Sequence, residues 1–119
     1  MGYRSDVGLC LTENGKKTLE AKLSELEPDT DKTTHVNELL DSRRKREDPE
    51  SGAVAWLWEH LKWYFDYADV SFFEKLMNDL DYEDYYFIRV GEENDDTDVR
   101  GGFWDNPFGM CLVRGIAFD

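Results

Sequence analysis

Residues 53–65 read AVAWLWEHLKWYF and contain three of the four tryptophans of this 119-residue chain. With a period of two, one side of this stretch is almost wholly apolar and carries Ala53, Ala55, Leu57, Glu59, Leu61, Trp63 and Phe65. The other side carries Val54, Trp56, Trp58, His60, Lys62 and Tyr64. A period of 3.6 also aligns Trp56, His60 and Trp63, so a helix is an alternative. Aromatic rings fit a pleated surface better than a helical turn, which favours a long central strand.

Two main helices are predicted, one before this strand in the sequence and one after it. The first follows a strand at residues 5–12, has Thr12 or Asn14 as its N-cap, and runs to about Leu26. The second follows a turn at residues 66–69, has Ser71 and Glu74 as a capping box, and runs to about residue 80. Their buried stripes are Leu19, Leu23 and Leu26 in the first helix, and Phe72, Phe73, Leu76, Met77 and Leu80 in the second.

A polar insertion at residues 27–52 separates the first helix from the central strand. Val36, Leu39 and Leu40 predict one short helix in it, over about residues 34–46. Four basic residues, 43–46, would form the C-terminal turn of that helix, where the helix dipole favours cations. We prefer this interpretation to a nucleic-acid patch because acidic residues flank the basic cluster on both sides.

The last third of the chain predicts three strands, at residues 85–90, 99–104 and 110–118. A turn at residues 105–107 separates the last two, and Gly115 predicts a bulge in the final strand. We therefore expect one domain over residues 1–119, an α+β two-layer sandwich with two main helices on one face of a mostly antiparallel sheet of about five strands. A ferredoxin-like core with an extra strand is the specific arrangement expected.

The charge of the chain restricts its partners. With 27 acidic and 14 basic residues the formal net charge is −13, which repels nucleic acid and anionic membranes and favours cationic partners. No apolar run approaches membrane-spanning length, and residues 1–15 lack the pattern of a secretory signal. A cytoplasmic protein is the expectation.

No catalytic or cofactor-binding motif stands out in the sequence, and we expect neither an enzyme nor a cofactor. Asn94, Asp96 and Asp98 alternate as in a calcium loop, but the glycine and the final glutamate of such a loop are missing. A solvated acidic hairpin turn without metal is therefore expected. His60 is expected on the sheet face beside the tryptophans. The two cysteines, Cys10 and Cys111, are expected to be buried and reduced.

Trp56, Trp58 and Tyr64 share the second face of the predicted central strand. If the helices cover the first face, this second face is either covered core or an exposed aromatic patch. Covered core is the commoner outcome, since large exposed patches are uncommon in monomers. An exposed patch would bind a partner or form a homodimer, because tryptophan and tyrosine carry much of the energy of interfaces.

Three segments, MGYRSDV at the start, LKWYFDYADV in the middle and YYFIRVGEENDD towards the end, resemble together with the closing strand a group of small proteins encoded in bacteriophages and prophages. Small acidic phage accessory proteins are often inhibitors of host defence, including anti-CRISPR and anti-restriction proteins. The resemblance thus implies a protein of the host bacterial cytoplasm that binds a host complex.

Two functions are therefore expected as alternatives. In the first, carboxylates mimic a phosphate backbone and occupy the basic surface of a host defence complex without contacting nucleic acid. The acids predicted for this role are Glu92, Glu93, Asp95, Asp96 and Asp98, with Asp79, Asp81, Glu83 and Asp84 extending the row. In the second, the protein is a phage structural or accessory protein that self-associates through the aromatic sheet face.

Overall fold

The computed structural model of the protein describes residues 3–93 and 95–112. Three helices, one short 3-10 turn and five strands make up these residues. In chain order they are β1 (Ser5–Leu11), α1 (Glu13–Ser24), α2 (Asp31–Leu40), β2 (Arg46–Glu47), β3 (Val54–Leu61), α3 (Ala68–Asp79), the 3-10 turn (Tyr82–Asp84), β4 (Tyr85–Val90) and β5 (Thr97–Gly101). None of the helices in this part of the chain is long and apolar enough to cross a membrane.

The five strands form one antiparallel sheet in the order β2-β3-β1-β4-β5. The expected α+β fold with helices on an antiparallel sheet is confirmed. β3, α3 and β4 form a split β–α–β unit, since β3 and β4 run parallel with β1 between them, and this half matches the ferredoxin-like expectation. The other half does not match, because a ferredoxin-like fold would place one helix between two parallel strands. Here two helices, α1 and α2, connect β1 to β3 and return the chain to the end of the sheet where β1 stops. As a result, β1 and β3 are antiparallel neighbours.

The main core lies between the three helices and the face of the sheet that carries the tryptophans. Trp56 and Trp58 are only 3% and 5% exposed, and they pack with Val36 of α2 and Phe73 of α3. Their indole nitrogens donate to the last carbonyls of α2, at 3.0 Å to Leu40 O and 2.8 Å to Leu39 O. The helices thus cover the tryptophan face, and the covered-core interpretation is the correct one.

A bulge at His60 ends β3 earlier than the sequence predicted. Ser5 pairs with Leu61 while Val7 pairs with Trp58, so β3 has one extra residue there. His60 takes a left-handed φ of 54°, and its side chain is exposed instead of lying beside the tryptophans. The extra residue turns Leu61 towards the helices, and the chain leaves the sheet before the predicted end at residue 65.

Helix boundaries follow local capping in two cases out of three. Thr12 caps α1 by accepting a hydrogen bond from Gly15 N at 3.1 Å, as predicted. Thr30 caps α2, which ends at Leu40. Basic residues 43–46 therefore lie beyond α2 as exposed residues, the last of them in β2, and the prediction that they close the helix is wrong.

The predicted capping box of α3 is wrong. α3 begins at Ala68, with Tyr67 as an N-cap that makes no side-chain cap hydrogen bond, so Ser71 and Glu74 both lie inside the helix. Tyr67 N instead donates to Tyr64 O at 3.0 Å in the preceding turn. The Glu74 carboxylate instead accepts hydrogen bonds from Arg100 and Trp63.

Residues 102–112 cover part of the opposite face of the sheet. Phe103, Phe108 and Met110 pack there against a second cluster formed by Cys10, Ala55, Tyr86 and Ile88. β5 lies at Thr97–Gly101, shifted from the predicted 99–104, and residues 110–112 are not a strand. The rest of the predicted final strand, with its bulge at Gly115, lies outside the described residues. Cys10 is buried as predicted, but Cys111 is exposed because it lies on the outer covering segment.

Candidate acidic interface

The β4–β5 turn, of which residues 91–93 and 95–96 are described, is anchored to the sheet through Asp96. Its carboxylate accepts hydrogen bonds from Arg89 at 2.6 and 3.2 Å and from the Tyr3 hydroxyl at 2.5 Å. The hydrogen bond to Asp96 raises the pKa of the Tyr3 hydroxyl and is the largest cause of the raised pKa of Arg89. Because these partners come from β4 and the N-terminal segment, the base of the turn at Asp96 is fixed to the sheet.

Three carboxylates project from this anchored turn: Glu92, Glu93 and Asp95 are all exposed. Glu92 accepts a hydrogen bond from the backbone N of Arg4 at 3.1 Å. Within the described residues, the side chains of Glu93 and Asp95 make neither a hydrogen bond nor an ion pair. We call these three exposed residues the turn acids; they are the part of the predicted acidic row that lies on the β4–β5 turn.

Asp98, by contrast, belongs to a polar network that fixes β5 to α3. Arg100 binds both carboxylate oxygens of Glu74, at 2.7 and 2.8 Å, and lies 3.2 Å from Asp98. The indole of Trp63 donates to Glu74 at 3.1 Å, and the Arg100 guanidinium lies 4.4 Å from the centre of the Phe87 ring. This network joins residues far apart in sequence, so no local pattern signals it.

The second predicted group of acids lies at the other end of the sheet. Asp79, Asp81, Glu83 and Asp84 precede β4, whereas the turn acids follow it. β4 has six residues and is about 17 Å long, so the whole length of this strand separates the two groups. They do not form one continuous row with the turn acids.

Two acids of this second group bind other side chains of the protein. Asp79 pairs with Lys22 at 2.5 Å, and the Asp84 carboxylate accepts from the Thr12 hydroxyl at 2.8 Å. Asp81 and Glu83 remain exposed. Asp81 precedes the 3-10 turn that leads into β4, and Glu83 lies within that turn.

The predicted aromatic surface is part of the core. Trp56 and Trp58 are buried beneath α2 and α3, as described above, and Tyr64 is half-buried with its hydroxyl accepting from Tyr3 N at 2.7 Å. In this conformation none of these rings forms an exposed patch, which removes the structural basis for self-association through that face. Sequence reasoning missed the rings that are exposed instead among the described residues, Phe65, Tyr67, Tyr82 and Trp104.

A cleft of about 580 Å³ opens between the N-termini of α2 and α3. Its charged lining is balanced: Arg4, Lys32 and Lys62 face Asp31, Asp66 and Asp69. Across the described ranges, no three His, Cys, Asp or Glu side chains are grouped as a metal site would require. The charges that line the cleft therefore nearly cancel.

No protein-family model, curated protein or solved structure matches this chain. Its surface charge and the geometry of its side chains therefore carry the functional argument.

Proposed function

We propose that this protein is a phage-encoded inhibitor that binds a host defence complex of the anti-CRISPR or anti-restriction type. It acts in the host cytoplasm by protein–protein contact, without chemistry or a cofactor. The turn acids occupy a basic surface of the target that otherwise holds nucleic acid. The observation that carries this proposal is the anchored β4–β5 turn, which presents exposed carboxylates from a fixed base in a chain of net charge −13.

Anchoring matters because a flexible acidic loop loses conformational freedom when it binds, and a fixed turn does not. The two hydrogen bonds between Arg89 and Asp96, at 2.6 and 3.2 Å, hold the base of the turn. Glu93 and Asp95 then stand in water with no cation of their own among the described residues. Such charges speed encounter with a basic partner and exclude acidic ones.

The surrounding charge supports the same partner. The ion pairs within the described residues leave most of the 27 acids without a cationic partner. The field of the whole chain therefore attracts basic surfaces from a distance, while the turn acids give the contact its position. Both contributions are screened by salt, over about 8 Å at physiological ionic strength.

The experiment compares three tagged baits in nuclease-treated bacterial lysate that contains a defence system. The baits are the wild type, the turn variant Glu92→Lys/Glu93→Lys/Asp95→Lys, and the control variant Glu20→Lys/Glu25→Lys/Glu27→Lys. All six positions are exposed. Each triple reversal removes three negative charges and adds three positive ones, taking the net charge from −13 to −7, so the two variants differ in where the charge changes and not in how much.

We expect the wild type and the control variant to capture a nucleic-acid-binding complex that high salt, or added nucleic acid, displaces. The turn variant should lose it. Equal capture by the turn and control variants would show that the turn is not the contact. Capture that neither salt nor nucleic acid disturbs would refute mimicry of a phosphate backbone.

A further inference from the structure

Two aromatic rings stand exposed together at the end of the sheet opposite the β4–β5 turn. Tyr82 and Trp104 are 62% and 64% exposed. Their ring centres lie 6.1 Å apart with the planes at 81°, an edge-to-face pair. The other three tryptophans are at most 7% exposed. An adjacent pair of exposed large rings is a candidate contact surface, since aromatic residues carry much of the energy of interfaces.

The Gly101–Gly102 pair builds the position of these rings. Gly101 has a φ of 88°, and a Cβ there would lie 2.2 Å from the backbone oxygen of Tyr85. Gly102 donates its N–H to Tyr82 O at 2.7 Å, and a Cβ on it would lie 2.5 Å from the Tyr82 ring. A side chain at position 101 would meet the backbone of Tyr85, and one at position 102 would push the Tyr82 ring aside, so the two glycines let the chain after β5 pass this close to Tyr82.

Asn106 fixes the loop that carries Trp104. The Asn106 side chain is 7% exposed, and its amide donates to the backbone oxygens of Phe103 and Met110 at 3.2 and 3.1 Å. Its carbonyl accepts from Phe108 N at 3.2 Å and Met110 N at 2.8 Å. The backbone beneath Trp104 is therefore ordered before any partner arrives, which lowers the entropy lost on binding.

Carboxylates surround the aromatic pair in the sequence. Asp81 and Glu83 are the neighbours of Tyr82, and Asp105 follows Trp104; all three are exposed. Rings beside carboxylates suit a cation that can stack on the ring face and pair with an acid at the same time. Arginine does this better than lysine, because its guanidinium is planar and more weakly hydrated. The same carboxylates repel phosphate, which argues against stacking of nucleic-acid bases.

We infer that Tyr82 and Trp104 form an anchor for arginine side chains of a protein partner. This inference rests on the proposed function, since it assumes a basic partner surface, and it adds a second contact beyond the opposite end of β4 from the turn acids. Aromatic residues at such positions carry a large share of interface energy. The turn acids attract the partner, and the aromatic pair binds arginine side chains on the partner's surface.

The experiment uses a nona-arginine peptide as the probe and a nona-lysine peptide of the same charge for comparison. Calorimetry gives the affinities of the wild type and of Trp104→Ala, Trp104→Phe and Phe65→Ala. Phe65 is the matched control because it is 67% exposed and follows β3 at the opposite end of the sheet. Trp104 is exposed, so its replacement should leave the circular dichroism spectrum unchanged. In the wild type, quenching of tryptophan fluorescence by bound peptide reports mainly on Trp104.

We expect the wild type to bind nona-arginine more tightly than nona-lysine, Trp104→Ala to bind it about tenfold more weakly, and Trp104→Phe and Phe65→Ala to stay within about threefold of wild type. Equal binding by Trp104→Ala and wild type would overturn the anchor, and so would equal affinity for the two peptides. Either result would concern only the aromatic pair and would not count against the turn acids as a contact. A loss in Trp104→Ala, together with full binding by the turn variant, would support the anchor and count against the turn as the contact. Absence of any salt-sensitive binding by wild type would overturn both.

Discussion

Replacement of Glu74 by glutamine tests the polar network that joins α3 to β5. The Glu74 and Arg100 side chains are only 18% and 28% exposed, and their two hydrogen bonds of 2.7 and 2.8 Å form a bidentate pair. Exposed pairs contribute up to about 1 kcal/mol, whereas breaking a buried pair costs about 3–5 kcal/mol. For this half-buried pair we expect Glu74→Gln to lower the free energy of unfolding by about 2 kcal/mol at pH 7.

The pH dependence of that loss distinguishes charge from shape. Burial disfavours ionised Glu74, but hydrogen bonds from Arg100 and Trp63 outweigh it and hold the pKa of Glu74 below its ordinary 4.5. Stability from a carboxylate with a lowered pKa is fully present above the unfolded pKa and is lost as the pH falls through the folded pKa. The difference between wild type and Glu74→Gln should therefore shrink below pH 4.5.

Urea unfolding followed by tryptophan fluorescence measures both quantities, since three tryptophans lie in the core. Glu83→Gln is the control, because Glu83 is exposed and its replacement should change the free energy of unfolding by less than about 0.5 kcal/mol. A loss in Glu74→Gln no larger than that of the control would refute the role given to the network. A loss that stays the same at pH 3 would mean that shape, and not charge, is responsible.

Three further predictions concern backbone, thiols and core. In thermal unfolding, Gly101→Ala should destabilise the protein by about 3 kcal/mol, because its Cβ would lie 2.2 Å from a backbone oxygen and its φ is left-handed. Gly109→Ala is the control: φ is also left-handed, at 66°, but the space around it is open, so it should cost only about 1 kcal/mol. Exposed Cys111 should react with a maleimide at once, whereas Cys10, whose pKa burial raises to about 12, should react only on unfolding; fast labelling of both in the native protein would contradict its burial. Trp58→Phe removes the 2.8 Å bond to the end of α2 and should cost about 1–2 kcal/mol and speed hydrogen exchange in α2; unchanged exchange would show that the bond does not hold the helix.

Local patterns in the sequence were enough to predict much of the fold. Val7, Leu9 and Leu11 on one side predict β1, and the run of aromatic and β-branched residues in YYFIRV predicts β4, because both signals are local. The N-cap at Thr12 is equally local, because its hydroxyl bonds an amide three residues later. The stripe of Phe72, Phe73, Leu76 and Met77 fixes the buried side of α3, although the start of that helix depended on the turn before it.

Which face of the central strand enters the main core was decided by tertiary structure. Both faces of residues 53–65 are apolar enough to be buried, so the sequence pattern leaves the choice open. The choice came from the helices, whose carbonyls at the end of α2 accept the indole N–H groups of Trp56 and Trp58. The bulge at His60 then moved Leu61 to the helical side, which strict alternation cannot anticipate.

The acidic character of the protein follows from its sequence alone, because a net charge of −13 is a count of residues. Which carboxylates face water depends on where the arginines fold. Arg89 pairs with Asp96, seven residues away in the sequence, and Arg100 pairs with Glu74, which is 26 residues away. Charge sums over the chain without regard to position, whereas an ion pair requires two side chains within a few ångströms, and only the folded sheet brings them there.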